Sequence, residues 1–163
     1  MKIDSALVGA AGEHLVLSRL LSRGFLAAQA PRGTRKVDIL VNSLTGDEPC
    51  LIQVKARSGG GDLGWHMSEK HEGITQADIF YTFVDFAPPE PAVYVIPAAT
   101  VAEVLRLDNE IWLATPGKQG QAHNPTKFRR LREQSLGQEP DWLRQYLEAW
   151  GLLEKWSPAS PVE

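Results

Sequence analysis

The chain has 163 residues, a mass of 18.0 kDa and 43% hydrophobic content, enough for one domain and too little for two. A formal net charge of -3 and a pI near 5.8 exclude a general attraction for nucleic acid, so any such binding needs a local basic face. The single cysteine, Cys50, excludes an intrachain disulfide and a zinc site built on several thiolates, and no apolar run approaches the roughly 18 residues of a membrane span.

From Ser5 to Arg23 the residues Ala6, Ala10, Leu17 and Leu20 recur at helical spacing, widened by Leu7, Val16 and Leu21, and predict a first helix. Asp4 or Ser5 caps its start and Gly24 ends it. Phe25 to Ala30 reads as a short strand, and a basic loop, PRGTRK, leads to a second strand at Val37 to Asn42. Thr45, Gly46 and Asp47 have hairpin-turn chemistry, so Cys50 to Ala56 returns antiparallel. The glycine-rich SGGGDLGW suits a flexible loop, followed by a short helix from Ser68. Ile79 to Phe86 and Ala92 to Ile96 read as strands joined through APPEP, for a sheet of about five strands. Thr100 to Leu107 suits a helix, whereas Asn109 to Asn124 shows no period. Asp141 to Trp156 reads as an amphipathic helix carrying Trp142, Leu143, Tyr146, Leu147, Trp150 and Leu153, and SPASPVE as a disordered tail. One domain over 1–156 is expected, with a core at about 5–107, a helical extension at about 125–156 and a flexible tail at 157–163. No leader with a basic region, an apolar stretch and a small-residue cleavage site is evident, and a cytoplasmic protein is expected.

Four polar residues interrupt this pattern. Glu13 falls within the apolar seam of the first helix, where a carboxylate needs a compensating cation, or else pairs with Arg19 or Arg23. Asp38 breaks the apolar strand VDILV and shares the face of Leu40. Gln53 and Lys55 lie two apart in LIQVKA, so both leave one face of that strand, about 7 Å apart at the backbone. The hairpin brings Asp38 beside them, and the seam of the first helix can cover the site with Glu13. Taken singly, each residue also fits a solvated face or turn. Together they suit magnesium, which prefers oxygen ligands: Asp38 as the central one, with the Gln53 carbonyl and Glu13, and manganese as a substitute. Lys55 then stands where it can orient a water or stabilise charge on phosphorus.

The segments GAAGEHLVLSRLLSRGF, RKVDILVNS and CLIQVKARS resemble the PD-(D/E)xK phosphodiesterase superfamily, with the first most similar to Holliday-junction-resolvase-like and Mrr-type families. The likeness covers about Ser5 to Ile96. It maps the helix-borne acid onto Glu13, the central aspartate onto Asp38 and the final pair onto Gln53 and Lys55. Two positions depart from the pattern: Val37 stands where proline is usual, and Gln53 replaces the more common acid, removing one negative charge from the metal site. Similar Mrr-type and certain intron-encoded nucleases use glutamine there.

The resemblance implies a restriction-endonuclease-like α/β fold, an αβββαβ core with a central mixed sheet and a helical C-terminal extension. It also implies a magnesium-dependent DNA endonuclease. The alternative is a weak or inactive module on this fold that binds nucleic acid or a protein partner. Arg32, Arg35, Lys36 and Arg57 surround the site in sequence, and His66 and Lys70 follow the glycine-rich loop, so these six are the expected DNA contacts. Lys127, Arg129, Arg130 and Arg132 form a second basic run, expected as a solvated face. Cutting two strands would favour a homodimer, with the apolar C-terminal helix as its interface.

Overall fold

The computed structural model describes residues 3–34, 36–43, 48–59 and 64–157. Arg35, the expected turn residues Thr45, Gly46 and Asp47, residues 60–63 and residues 158–163 lie outside that set. Helix α1 (Ser5–Ser22) starts where the Asp4 carboxylate accepts a hydrogen bond from the Ala6 amide at 2.7 Å. It stops at Gly24, whose φ of 85° turns the chain into the next strand.

Strands β1 (Leu26–Gln29), β2 (Ile39–Asn42) and β3 (Cys50–Arg57) form the expected antiparallel meander. The chain then makes β4 (Trp65–Ser68) and a 3-10 helix, Glu69–Gly73, before β5 (Ile79–Asp85) enters the sheet parallel to β3. β6 (Ala92–Pro97) returns antiparallel, which gives a five-stranded mixed sheet of order β1-β2-β3-β5-β6. The αβββαβ order therefore holds, with its crossover helix reduced to a 3-10 turn. Helix α2 (Ala98–Ala114) runs further than expected and absorbs the first part of the segment that lacked a period. β7 (Phe128–Leu131) pairs with β4 in a second, two-stranded sheet that sequence reasoning did not anticipate.

Strand alternation divides the apolar residues into two layers. On one face Ile39, Val41, Cys50, Ile52, Phe80, Val84, Val93 and Val95 pack with Val16 and Leu20 of α1. On the other, Tyr81, Phe83 and Ile96 pack with Trp65, Met67 and the α2 residues Val101, Val104 and Leu105. Burial pushes the Cys50 thiol up to about 12, reinforced by the negative charge of Asp78, so it stays a protonated core residue.

Three expectations are corrected. The buried line of α1 is Val8, Gly12, Val16 and Leu20, whereas Ala6, Ala10 and Leu21 are exposed and Leu7 is 65% exposed. The helix is turned so that Gly12, not a larger apolar residue, meets the sheet: a Cβ there would lie 2.7 Å from Ala56 Cβ. Asp141 to Trp156 is not one α-helix but two 3-10 helices, Trp142–Tyr146 and Trp150–Trp156. They are separated at Glu148, whose φ of 51° no α-helix tolerates and whose amide donates to the Val93 carbonyl at 2.8 Å. The apolar residues assigned to a dimer interface are mostly internal, since Trp142, Leu143, Trp150, Leu153 and Trp156 are buried in the chain's own layers.

The contact at Gly12 is testable against its neighbour Gly9, where an added Cβ meets nothing within 4 Å. Gly9→Ala should stabilise the fold by up to about 1 kcal/mol, the helix-propensity gain. Gly12→Ala gains the same propensity but forces two backbone-anchored methyls together, an overpacking cost of about 1–3 kcal/mol. Thermal melts should rise for the first and fall for the second, and Ala56→Gly in the Gly12→Ala background should recover part of the loss.

Candidate active site

Asp38 lies just before β2, fixed by three hydrogen bonds. Its amide donates to the Ile52 carbonyl at 2.9 Å, and its carbonyl accepts from the Ala30 amide at 2.8 Å. Its carboxylate Oδ2 accepts from the Val54 amide at 2.7 Å. Ile39 opposite Ile52 in the β2–β3 register sets Asp38 across from Gln53, so both leave the sheet on one face. Lys55 follows on that face, beside Phe83 in the parallel register, and Gln53 stands beside Tyr81. Lys36, with a φ of 66°, makes the turn that delivers the chain to Asp38.

One expectation about this arrangement changes. α1 packs over Ile52, Val54 and Ala56, which is the face opposite Gln53 and Lys55, so its seam does not cover the site. Glu13 instead approaches from the far side of the sheet, half-buried next to Gly12. It does not pair with Arg19 or Arg23, because both of those guanidiniums reach Glu148.

Burial raises the pKa of Glu13 above its ordinary 4.5, and the Asp38 charge raises it further, outweighing a smaller opposing effect of His14. Burial lowers that of Lys55 below 10.5, with the Asp38 carboxylate opposing the shift. Carboxylate and amide oxygens are hard donors of the kind that suits magnesium or manganese. Among the described residues no cluster of three or more His, Cys, Asp and Glu is placed to hold a metal. Asp38 and Gln53 share one face, and Glu13 is close enough to Asp38 for the two charges to interact, with less negative charge than three acids would give.

His71, from the polar segment that follows the glycine-rich loop, is brought close to this group by the fold. Its Nδ1 accepts from the Ser68 amide at 3.0 Å at the start of the 3-10 helix, and its ring meets Tyr81 edge-on at 5.8 Å. Burial lowers its basicity, and the charges of Lys55, Lys36 and Lys70 lower it further against a hydrogen bond with Ser68. Each of those three lysines is near enough to His71 for its charge to act on the ring. The signal available in sequence was the Ser68-x-x-His71 spacing, which has the form of a helix cap. The Tyr81 hydroxyl, on the same face, is buried without a hydrogen-bond partner among the described residues.

The remaining expected DNA contacts separate. Lys36 and Lys70 are exposed at the rim of the site, Arg32 is exposed on the preceding loop, and Arg35 lies outside the described residues. His66 is exposed on β4, opposite Arg130 in the β4–β7 register, with its ring against Phe128 at 5.2 Å. Arg57 is corrected: its guanidinium is held by Asp85 at 2.5 Å and Glu133 at 3.1 Å and lies over the Trp65 ring at 4.2 Å. It ties β3 to Asp85 of β5 and to Trp65 of β4, with its charge met by two carboxylates.

No family model matches the chain, and no curated protein does. Solved structures do. A bacterial homing endonuclease, I-Ssp6803I, superposes with a TM-score of 0.52 at 17% identity, over 93% of this chain and 92% of that one. Hjc, a Holliday junction resolvase from Archaeoglobus fulgidus, superposes with a TM-score of 0.46 at 19% identity, over 77% of this chain and 84% of its own. Identity this low speaks to fold alone. Together with the observed topology, the homing-endonuclease superposition shows a restriction-endonuclease-like fold.

The two shifted groups make opposite pH predictions for the chelated protein. Lys55 has a folded value below 10.5, so its buried charge costs stability at neutral pH, and that cost fades as pH rises through the folded value toward 10.5. Lys55→Met should therefore melt higher than wild type at pH 7, by roughly 2–4 °C for each kcal/mol relieved, and lose the advantage in alkali. Glu13 has a folded value above 4.5, so Glu13→Gln should also melt higher at pH 7 and converge with wild type as pH falls toward 4.5.

Proposed function

We propose that the chain is a divalent-metal-dependent endonuclease that hydrolyses phosphodiester bonds of DNA. The observation that carries this is the juxtaposition at the start of β2: the Asp38 carboxylate, anchored on the Val54 amide, shares a face with Gln53 and Lys55 and raises the pKa of Glu13. The fold shared with a homing endonuclease supports the same reading.

In this mechanism Asp38, Glu13 and Gln53 would hold the ion, with magnesium as the expected one and manganese as a substitute. A bound divalent ion would supply positive charge at the scissile phosphate. The Asp38 anchor keeps one carboxylate oxygen on β3, which fixes where the donor set points. Lys55, partly stripped of solvent, sets its ammonium toward charge developing on the phosphate oxygens or holds the attacking water in line, where low dielectric strengthens either action. Lys36 and Lys70 at the rim, with Arg32 on the loop before them, would contact flanking phosphates.

Cleavage of supercoiled plasmid in magnesium, in manganese and in chelator tests the reading. Asp38→Ala and Lys55→Ala should each lower the rate by about 100–1,000-fold or more, the range for removing one preorganised electrostatic group. Gln53→Glu restores a negative charge to the donor set and should lower the magnesium concentration needed for half-maximal rate. Lys36→Ala and Lys70→Ala should each flatten the salt dependence of DNA binding by about one unit of log-log slope. Measurable DNA binding without cutting in either metal would replace the enzyme by a binding module on the same fold, the reading that Gln53 favours.

A further inference from the structure

A pocket of about 280 Å³ lies between α2 and β7, away from the Asp38 site. It falls below the roughly 300–1,000 Å³ of sites for drug-sized ligands, which limits its occupant to one small planar group with little else. Its wall on α2 carries Asp108 and Trp112, one helical turn apart. Its wall on the other side carries Phe128 and Arg130 at alternate positions of β7, with Arg132 just beyond.

The chemistry of these walls is specific. Trp112 is stacked on His123, with centroids 4.0 Å apart and planes 21° from parallel, so the indole is braced before any ligand arrives. Phe128 is 48% exposed, and the Arg130 guanidinium lies 5.4 Å over its ring. Asp108 is neutralised by Arg132 at 3.0 Å and by the Leu136 amide at 2.6 Å, yet the buried Arg132 Nε still lacks a hydrogen-bond acceptor. Two aromatic surfaces framed by guanidiniums are complementary to a heterocyclic base bearing a phosphate, because a base stacks on a ring and an arginine takes the anion. A base locked in a duplex presents only its edges, so the occupant must be unpaired.

Position links the pocket to the site. Arg129 of β7 lines the pocket and is ion-paired with Glu72, and the residue before Glu72 is His71. The 3-10 helix Glu69–Gly73 therefore touches both places.

We propose that this pocket is a nucleotide subsite that takes one unpaired base, with its phosphate, from the strand engaged at the Asp38 site. The proposal rests on the reading that the chain handles nucleic acid, and it narrows the substrate to DNA with an unpaired or extrudable nucleotide. Trp112, Phe128, Arg130 and Arg132 form the subsite, and none of them belongs to the proposed cleavage machinery.

The test is fluorescence anisotropy of the full chain in chelator, so that nothing is cut. The probes are labelled oligothymidylate, an abasic strand with the same number of phosphates, and a fully paired duplex, with thymidine monophosphate as competitor. Oligothymidylate should bind about 5–100-fold tighter than the abasic strand, the range that stacking of one base provides. Trp112→Ala and Phe128→Ala should each remove most of that difference, Arg130→Ala should weaken both strands alike, and Trp112→Phe should keep the difference. Melting curves accompany every variant, and Phe128→Ala carries the test if Trp112→Ala melts low.

Equal affinity for both strands, or a base preference untouched by Trp112→Ala and Phe128→Ala, overturns the subsite. So does thymidine monophosphate binding as tightly as the strand, which would make the pocket a site for free nucleotides. The nuclease reading is decided separately by magnesium-dependent plasmid cutting and its loss in Lys55→Ala. A base preference without cutting keeps the subsite and removes the nuclease; cutting without a base preference does the reverse.

Discussion

The hydrogen bond from the Val54 amide to the Asp38 carboxylate is the constraint on which the site depends. A strand-edge aspartate in water samples many rotamers, and here one oxygen is tied to the neighbouring strand beside the residues with which it must act. The β2–β3 pairing supplies the rest, since Ile39 opposite Ile52 leaves Asp38, Gln53 and Lys55 no choice of face. A slip of one residue would send Gln53 and Lys55 into the layer now filled by Val16 and Leu20 of α1. Register is therefore protected by the same apolar face that the site does not use.

Glu13 depends on a second constraint, the absence of a side chain at Gly12. The close approach of α1 to Ala56 brings the adjacent carboxylate near enough to Asp38 for the two charges to be felt. Both that repulsion and the partly desolvated Lys55 charge oppose folding. A core selected for stability alone would replace them with apolar groups, as buried ionic groups rarely match the packing they displace. Both groups stand on elements that come together only in the fold, which is the arrangement expected where stability is given up for a site.

The parts of this structure that were legible in the sequence are those dictated by short-range pattern. The first helix with its Asp4 cap and Gly24 stop, the meander and the two strands around APPEP all stand near their expected bounds. The rotation of α1 was not legible, because a glycine carries no hydrophobic signal and Leu7 and Leu21 carry a false one. The spacing of Trp142, Tyr146, Trp150 and Leu153 fits a helix, but tertiary partners decide otherwise. Glu148 is drawn to Arg19 and Arg23, while its amide pairs with Val93, and the helix period breaks there. The pairing of β4 with β7 joins segments some sixty residues apart, for which neither strand carries a local mark. Among the site residues, Asp38, Gln53 and Lys55 were legible as a pair of strands with one polar face. The place of His71 beside them was not, because only the fold brings its 3-10 turn to Lys55.

The same limit applies to charge. Counting basic residues along the chain marks PRGTRK and KFRR alike, yet the fold gives arginines and lysines different work. Arg19, Arg23, Arg57, Arg129 and Arg132 are each held by a carboxylate, and Arg57 and Arg23 also lie over tryptophan rings. A planar guanidinium satisfies several partners at once, which makes it the better clamp between distant segments. Lys36, Lys55 and Lys70 have no ion pair among the described residues, and the charge of each acts on His71. An acidic chain can thereby keep a compact positive field at one site while its arginines neutralise its own acids, so the overall charge of -3 says little about the potential that a phosphate meets there.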